Sequence, residues 1–449
     1  MTHPYIPGTQ EDKKAMLEAL GLESTQDLYK SIPDKFRLDG LLDLPEGLSE
    51  LDLDKYLRGL AKMNKTLSDY PCFLGAGAYD HYQPSLVDAL SSRSEFFTAY
   101  TPYQPEISQG TLQSIFEFQS LIARLTGMDI ANASLYDGGT ACAEAAIMAC
   151  AKSRKSEILV SKALAPSYRE VLETYAKGQN INVRSLEIKN GVTDLEDLRA
   201  KLSNETAGVL IQSPNFFGLL EDVEAAAEIT HGAKKAAMIL STDPFSLGLL
   251  RAPGDMGVDI VVGEGQSLGL PLSFGGPYLG ILATNKSFMR KIPGRLIGQT
   301  VDKEGKRSFV LTLAAREQHI KRERATSNIC TNQGLMALMA TIYMATLGKK
   351  GMKEAAYQAT QKAHYAYDRL LETGLFEPLF EGPFFLEFAL KSKIDPKKVN
   401  EVLMEGGIIG GYDLGRSYPD HQGALLFAVT EKRTKEEIDQ MVRLLEGIA

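Results

Sequence analysis

The most constraining feature of this sequence is a regular alternation between short apolar segments and amphipathic segments from residue 157 to residue 242. Strands alternating with helices of this length form a mostly parallel sheet with right-handed crossovers. The pattern therefore predicts an α/β domain whose site lies at the carboxyl ends of the strands. The predicted strands are 157–161, 183–188, 208–213 and 236–242, and the predicted helices are 167–177, 195–202 and 223–234.

The segment 259–280, DIVVGEGQSLGLPLSFGGPYLG, predicts a buried strand, a glycine-rich loop and the start of a second apolar strand. In α/β enzymes, catalytic and ligand-binding residues are often found where a strand ends in such a loop. Between Ala236 and Asn285, however, there is no lysine, histidine or cysteine, and Gln266 stands where a nucleophile would be expected. The segment resembles an active site that lacks its reactive residue.

Two further positions belong to the same predicted site. Asp243 follows the strand 236–242 and should lie at its carboxyl end. The turn at 137–140, Asp-Gly-Gly-Thr, precedes a helix of small residues, with Thr140 expected at the N-cap and Gly139 allowing close backbone approach. A helix N-terminus of this kind can bind a phosphate, although the turn also fits a simple helix cap.

Polar aromatic residues are concentrated in two loops. The loop 73–84 contains Tyr79 and His81, and two prolines stiffen the loop 97–110. Both loops are candidate pocket walls, because binding residues are disproportionately found on loops. Packed surface loops that only brace an interface are the alternative. The candidates in the second loop are Tyr100, Tyr103, Glu106 and Ser108.

A group of polar residues at 326–332 precedes an apolar helix and predicts a helix N-terminus. Thr331 is its candidate phosphate contact. Nearby, Lys321, Arg322 and Arg324 form a basic cluster that fits either a mixed-charge helix face or an anion-binding role.

At 449 residues the chain exceeds the size of one hydrophobic core, so several domains are expected. Residues 1–60 have too few apolar positions to fold alone and are predicted to form a helical arm on the body or on a partner chain. A large α/β domain should cover 61–335. A smaller C-terminal α+β domain should cover 336–449, since helices there alternate with the strands 384–390 and 425–430.

Composition excludes several classes of protein. The net charge of −8 argues against nucleic-acid binding, which needs concentrated lysine and arginine. The four cysteines lack the paired spacing of a zinc or redox motif and are expected to be reduced and buried. No apolar run reaches the roughly 18 residues of a membrane span, and the N-terminal segment lacks signal-peptide order. A cytoplasmic protein is expected.

This layout is similar to that of pyridoxal-phosphate enzymes of the aminotransferase type (fold type I). More specifically, the chain resembles the P-protein (glycine decarboxylase) of the glycine cleavage system over nearly its whole length. Its length matches the N-terminal half of that protein, which in many bacteria is a separate subunit. Three long segments carry the resemblance: 97–119, 125–145 and 316–333.

The resemblance implies roles for individual residues. Asp243 matches the aspartate that pairs with the pyridine nitrogen of the cofactor. Aligning PLSFGGP, 271–277, with the catalytic half places Gln266 where that half has its Schiff-base lysine. Where many members have His-Pro, this chain has Ala165-Pro166. The implied vestigial cofactor site comprises Gly139, Thr140, Asp243, Gln266 and Thr331.

The resemblance also implies partners. Pyridoxal phosphate would be bound on the lysine-bearing second subunit of glycine decarboxylase, and two copies of each subunit would form a heterotetramer. The assembly would decarboxylate glycine and pass the aminomethyl group to the lipoyl arm of H-protein, and this chain alone would be inactive. A purely non-catalytic scaffold is one alternative. A standalone pyridoxal-phosphate decarboxylase is another, although Lys234 and Lys235 are badly placed for it.

Overall fold

The computed structural model describes residues 5–38, 40–325 and 327–448. The chain divides into two compact units, Met1–Lys65 and Thr66–Ala449. The first unit contains helices α1 (Gln10–Ala19) and α2 (Glu50–Ala61), and neither helix has a buried residue within this description. Thr9 caps α1 through a reciprocal capping box with Asp12, as the sequence indicates.

The second unit contains fifteen strands among its described residues. Those of the large region are β1 (Ile130–Ala131), β2 (Glu157–Ser161), β3 (Asn182–Leu186), β4 (Ile188–Lys189), β5 (Val192–Thr193), β6 (Thr206–Gln212), β7 (Ala237–Ser241), β8 (Ile260–Glu264), β9 (Gly280–Thr284), β10 (Leu296–Val301) and β11 (Arg307–Thr312). The C-terminal strands are β12 (Phe376–Pro378), β13 (Glu387–Ser392), β14 (Tyr412–Asp413) and β15 (Ala424–Ala428).

The central sheet has seven strands in the order β1-β9-β8-β7-β6-β2-β3. Strands β8, β7, β6, β2 and β3 pair in parallel, whereas β9 is antiparallel to both of its neighbours. The predicted mostly parallel sheet is therefore confirmed. Because β8 returns directly through the glycine-rich loop to β9, this pair needs no crossover helix.

The helices of the second unit are α3 (Ser85–Ser91), α4 (Ser94–Phe97), α5 (Gln109–Thr126), α6 (Gly138–Ser153), α7 (Pro166–Gln179), α8 (Leu195–Lys201), α9 (Val223–His231), α10 (Gln318–Lys321), α11 (Gly334–Glu372), α12 (Pro396–Glu405) and α13 (Lys435–Glu446). Helix α5 ends at Gly127, whose positive φ of 70° forms the left-handed cap that the sequence indicates. Helix α11 is interrupted at Gly348, where the backbone leaves the helical region.

Helices cover both faces of the central sheet. Successive residues of a strand point to opposite faces, and β7 illustrates the result. Ile239 packs with α6, whereas Met238 and Leu240 pack in the cluster that contains α5, α9 and the first part of α11. Strands buried on both faces explain the continuous apolar segments in the sequence.

The C-terminal region has a second, antiparallel sheet in the order β12-β13-β15-β14. One of its faces packs against α12, α13 and the last part of α11. Thr434 and Glu437 form a capping box at the N-terminus of α13. The boundary at residue 335 between large and small domains stays a prediction.

The helix N-terminus predicted after the polar group at 326–332 is confirmed, since α11 begins at Gly334. Its N-cap, Gln333, makes no side-chain cap hydrogen bond, and Thr326 lies outside the described residues. Strands β10 and β11 form a hairpin. Cys330 is exposed rather than buried. Within the described part of the chain, no helix is long and apolar enough to cross a membrane.

Candidate functional site

The first candidate cavity lies where β6, β7 and β8 end, at the carboxyl edge of the parallel sheet. The strand alternation predicted this location, because parallel strands bring their carboxyl ends to one edge. The cavity is lined by Gly77, Tyr79, Tyr168, Gln212, Ser241, Thr242, Asp243, Glu264, Gln266 and Ser267. The structure therefore brings together Asp243, Gln266 and Tyr79, which are far apart in the sequence.

Asp243 occupies the predicted position directly beyond β7. Its Oδ1 accepts hydrogen bonds from the backbone N–H of Phe245, at 3.0 Å, and from the hydroxyl of Ser267, at 2.5 Å. Burial raises the pKa of this carboxyl, while His81 and the hydrogen bonds oppose the shift. An aspartate at this place could face a ring nitrogen, but Ser267 from the β8–β9 loop already bonds it.

Gln266 is buried and its amide is bonded entirely within the chain. Its Oε1 accepts from the backbone N–H of Tyr79 at 2.9 Å, and its Nε2 donates to the carbonyl of Tyr79 at 3.0 Å and to that of Leu270 at 2.8 Å. The side chain thus pairs with both backbone groups of Tyr79, as a neighbouring strand would. Gln266 therefore links the loop 73–84 to the β8–β9 loop, and its amide is not a reactive group.

Glu264 occupies the N-terminal end of α6, the place predicted to bind a phosphate. Its Oε2 accepts from the N–H of Gly138 at 3.0 Å, and its Oε1 accepts from Leu279 at 2.9 Å and Gln266 at 3.1 Å. Burial raises the pKa of Glu264 to about 8. A carboxyl group of this chain therefore takes the place of an external anion.

The predicted N-cap of α6 is wrong by three residues. Asp137 is the N-cap, and its carboxylate accepts from the N–H of Thr140 at 2.7 Å. Thr140 forms the other half of a capping box, and its hydroxyl is bonded to Asp137. A Cβ on Gly138 would collide with the hydroxyl of Tyr168, whereas Gly139 faces Val171. Neither Gly139 nor Thr140 lines the cavity.

The volume of the first cavity decides what it can hold. It measures about 20 Å³, which is room for about one water molecule. Pockets for small organic ligands usually measure about 300–1,000 Å³. Pyridoxal phosphate therefore does not fit here: the lysine is replaced, the phosphate position is filled by Glu264, and Tyr168 closes the helix end.

Tyr79 and His81 are also engaged within the chain. The Tyr79 hydroxyl donates to Glu387 Oε2 at 2.7 Å, and His81 Nδ1 lies 2.7 Å from Glu431 Oε2. Burial disfavours the charged imidazole, yet the carboxylate of Glu431 prevails and raises the pKa of His81. Burial likewise raises the pKa of Glu387 to about 7. These contacts link the loop 73–84 to the C-terminal sheet.

A second cavity, of about 160 Å³, shares no lining residue with the first. It contains Tyr100 and Thr331, so the structure separates Thr331 from the predicted vestigial cofactor site. Its lining residues are Phe96, Phe97, Ala99, Tyr100, Thr101, Pro102, Thr111, Ser114, Ile115, Arg295, Thr331, Asn332, Gly334, Leu335 and Leu338.

The other residues predicted in the loop 97–110 do not themselves line the second cavity. The hydroxyl of Tyr103 accepts from Arg295 Nη2 at 3.4 Å. Glu106 is exposed on a short 3-10 turn, and Ser108 immediately precedes α5. Neither Glu106 nor Ser108 lines the second cavity. The basic cluster at 321–324 is exposed on short helical turns.

Sequence reasoning missed Glu264, Tyr168 and Arg295. The position of Glu264 at the end of β8 was a usable signal, because it precedes Gln266 by two residues in the same strand-to-loop segment. Nothing local distinguishes Arg295 from an exposed arginine, since the Pro-Gly-Arg text at 293–295 suits a surface turn. Its burial arises from chain segments distant in sequence.

Comparison with known proteins accounts for this arrangement. The family model described as "Glycine cleavage system P-protein" matches residues 3–445. This chain belongs to the P-protein family. The family expected from the sequence, and the aminotransferase-like α/β fold expected with it, are thereby confirmed.

The relatives of this P-protein chain match its full length. A protein of Bacillus mycoides named "Probable glycine dehydrogenase (decarboxylating) subunit 1" is 54% identical over 448 residues, covering 100% of both chains. A crystal structure of glycine decarboxylase (P-protein) of the glycine cleavage system, in inhibitor-bound form, has a TM-score of 0.91 and 44% identity, again covering 100% of both chains.

A more distant structure shows the fold alone. The sphingosine-1-phosphate lyase of Burkholderia pseudomallei has a TM-score of 0.66 at 15% identity, and the match covers 92% of this chain and 94% of the lyase. The P-protein chain thus keeps the architecture of a wider fold family although its own first cavity is filled.

Proposed function

We propose that this chain works in the cytoplasm as subunit 1 of glycine dehydrogenase (decarboxylating), the P-protein of the glycine cleavage system. With a lysine-bearing subunit 2, in a heterotetramer of two copies each, it decarboxylates glycine and transfers the aminomethyl group to the lipoyl arm of H-protein. Pyridoxal phosphate is held on subunit 2, where it supplies the electron sink for loss of carbon dioxide. The full-length relatives support this assignment.

The first cavity is the observation that supports cofactor binding by subunit 2 and not by this chain. Gln266 cannot form an imine, and all of its amide bonds lie within this chain. Glu264 holds the N-terminal end of α6 that a phosphate would need. This chain is accordingly inactive alone and contributes to the reaction only from outside the cofactor-binding subunit.

The residues that this chain offers to the shared site are those of the loop 97–110. Tyr100 is 78% exposed and Tyr103 is 48% exposed, so both rings are available to another chain. Glu106 and Ser108 extend the same polar loop towards α5. In this proposal their side chains bind and orient glycine and exclude water, whereas Tyr79 and His81 support the loop 73–84 from within. Contact of Tyr79 or His81 with the partner stays a prediction.

The test uses three samples: this chain, subunit 2, and their mixture, each with pyridoxal phosphate, lipoylated H-protein and labelled glycine. Release of labelled carbon dioxide is expected from the mixture and not from this chain alone. Release by this chain alone would mean that a lysine elsewhere carries the cofactor and that the proposal is wrong.

A non-catalytic scaffold is the competing function, and the first cavity supports it equally well. Substitution of Tyr100 by alanine separates the two. If Tyr100 serves the shared site, turnover by the assembled enzyme falls while the mass of the assembly is unchanged. If the chain is only a scaffold, turnover falls only as far as the fraction of assembled enzyme falls. Light scattering measures that fraction.

A further inference from the structure

Arg295 is a buried cation without a counter-ion. Its side chain is part of a residue that is 4% exposed, and no ion pair joins it to any described residue. A guanidinium has five N–H donors. Nη1 meets the carbonyl of Thr331 at 3.4 Å and Asn332 Oδ1 at 3.1 Å, Nη2 meets the Tyr103 hydroxyl at 3.4 Å, and Nε has no partner.

Burial of an unpaired charge is costly, and buried charges in proteins are normally paired or hydrogen-bonded. Most of the bonds made by Arg295 are long and go to neutral oxygens. The Tyr103 ring lies 5.5 Å from the guanidinium carbon and offsets part of this cost, but no described carboxylate pairs with the charge. The buried carboxyl of Glu264, by comparison, accepts hydrogen bonds from three backbone N–H groups.

The backbone around Arg295 is fixed in several ways. The carbonyl of Arg295 accepts from the N–H of Ala133 at 2.9 Å. Two residues later, the side chain of Gln119 pairs with both backbone groups of Ile297, at 2.9 and 3.0 Å. Arg316 Nη2 donates to the carbonyl of Gly294 at 3.1 Å. These hydrogen bonds fix the backbone from which the Arg295 side chain extends.

The cavity beside Arg295 suits a small ligand or one group of a larger ligand. Its volume of about 160 Å³ lies below the usual range of about 300–1,000 Å³ for organic ligands. Aromatic and aliphatic walls from α4, α5 and α11 surround a polar end formed by Arg295, Thr331 and Asn332. Asn332 is itself fixed, since its Nδ2 donates to Ser134 Oγ at 2.6 Å.

We propose that Arg295 is the anion-binding residue of this pocket and holds a small oxyanion, a carboxylate or a phosphate group. A guanidinium can donate two parallel N–H bonds to either group. The inference rests on the proposed function in one respect only: Tyr100 of the same cavity is offered to the shared site. The oxyanion then comes from the carboxylate of glycine or from the phosphate group of the cofactor held by subunit 2.

The first test uses this chain alone and no catalysis. ¹³C-labelled acetate, ¹³C-labelled glycine and inorganic phosphate are titrated separately, with chloride keeping the ionic strength constant, and binding is followed by NMR line broadening. We expect saturable broadening with at least one probe, and a loss of at least tenfold in affinity in Arg295→Gln. Arg307→Gln is the matched control, because Arg307 is an exposed arginine on the same hairpin.

Arg295→Lys guards against a folding artefact. It keeps the charge and most of the stem but loses the planar fork, so an intermediate affinity is expected. Equal binding by wild type, Arg295→Gln and Arg295→Lys would overturn the proposal. So would the absence of saturable broadening with all three probes in folded wild-type protein.

The second test uses the enzyme assembled with subunit 2 and identifies the source of the oxyanion. If glycine supplies it, Arg295→Gln raises the KM for glycine at least tenfold while the affinity for pyridoxal phosphate, from absorbance titration, is unchanged. If the cofactor supplies it, the affinity for pyridoxal phosphate falls instead. No change in either quantity would contradict the proposal.

Failure of the proposed function is distinguishable from failure of this inference. If wild-type assembly releases no carbon dioxide from glycine, the proposed function fails, while the titration of the isolated chain still reports on Arg295. If assembly is active and Arg295→Gln binds oxyanions as wild type does, only the inference fails.

Discussion

Two cavities of the larger unit differ in how their charges are satisfied. In the first, Glu264 and Gln266 are bonded to backbone groups of the chain itself, and about 20 Å³ remains. In the second, Arg295 has no counter-ion among the described residues, its Nε has no described hydrogen-bond partner, and about 160 Å³ is open. An internally satisfied cavity is part of the core, whereas a buried donor without a partner favours the binding of a ligand.

This difference shows why a recognisable site segment is not sufficient evidence of a working site. The first cavity has the expected aspartate at the expected strand end, yet its polar groups bind one another. The second cavity had no motif beyond a polar loop, yet it contains the unpaired cation. The following experiments test whether the first cavity is closed and the second open.

Restoring the missing lysine gives the largest expected effect. Gln266→Lys places a charge where three hydrogen bonds now hold the amide, and should lower the free energy of unfolding by about 4 kcal/mol, measured by urea denaturation. Gln361→Lys, at an exposed position of α11, should cost less than about 0.5 kcal/mol. With pyridoxal phosphate, the lysine variant should show no imine absorbance band. A band from that variant alone would mean that the first cavity is not closed.

Removing the buried carboxyl group of Glu264 comes next. Glu264→Ala leaves the N–H groups of Gly138, Gln266 and Leu279 without an acceptor, at a cost of about 3 kcal/mol in unfolding free energy. Inorganic phosphate should raise the melting temperature of this variant and not that of the wild type, because the vacated end of α6 can then bind an anion. The same phosphate response in wild type would show that the site was already open.

The pH dependence of stability tests the buried carboxyl of Glu387. Its pKa is about 7 in the folded chain, raised by burial from 4.5. Between these values the unfolded chain has released a proton that the folded chain keeps, so stability falls as pH rises. From about pH 5.5 to about pH 7, the loss attributable to this group is about 2 kcal/mol. Glu387→Gln does not titrate and should lack this part of the slope in urea denaturation at each pH.

The smallest expected effect concerns the edge of the second cavity. Tyr103→Phe removes one long hydrogen bond to Arg295, worth about 1 kcal/mol, and should change the KM for glycine or the cofactor affinity of the assembled enzyme about fivefold. Tyr357→Phe is the control, since Tyr357 is 46% exposed on α11 against 48% for Tyr103. Identical behaviour of the two variants would remove Tyr103 from the site.

Much of the fold was predictable because it depends on local periodicity. The segments around β2, β6 and β7 are continuous apolar runs. A strand that is buried on both faces requires apolar residues at nearly every position. The hairpin of β10 and β11 is harder to predict from the sequence, since β10 is partly exposed and lies beside a Pro-Gly turn. Thr140 was misplaced because Asp137 and Thr140 are both good caps, and only the chain geometry selects between them.

The sequence by itself determined the parallel sheet, the position of Asp243 at a strand end and the absence of a lysine at Gln266. These features depend on side-chain patterns within one segment. Only the tertiary structure decided that Glu264 fills the end of α6 and that Gln266 bonds the backbone of Tyr79. It also decided that Arg295 is buried with no carboxylate partner in the described part of the chain. Satisfaction of a buried polar group depends on partners from distant segments, and no local pattern specifies them.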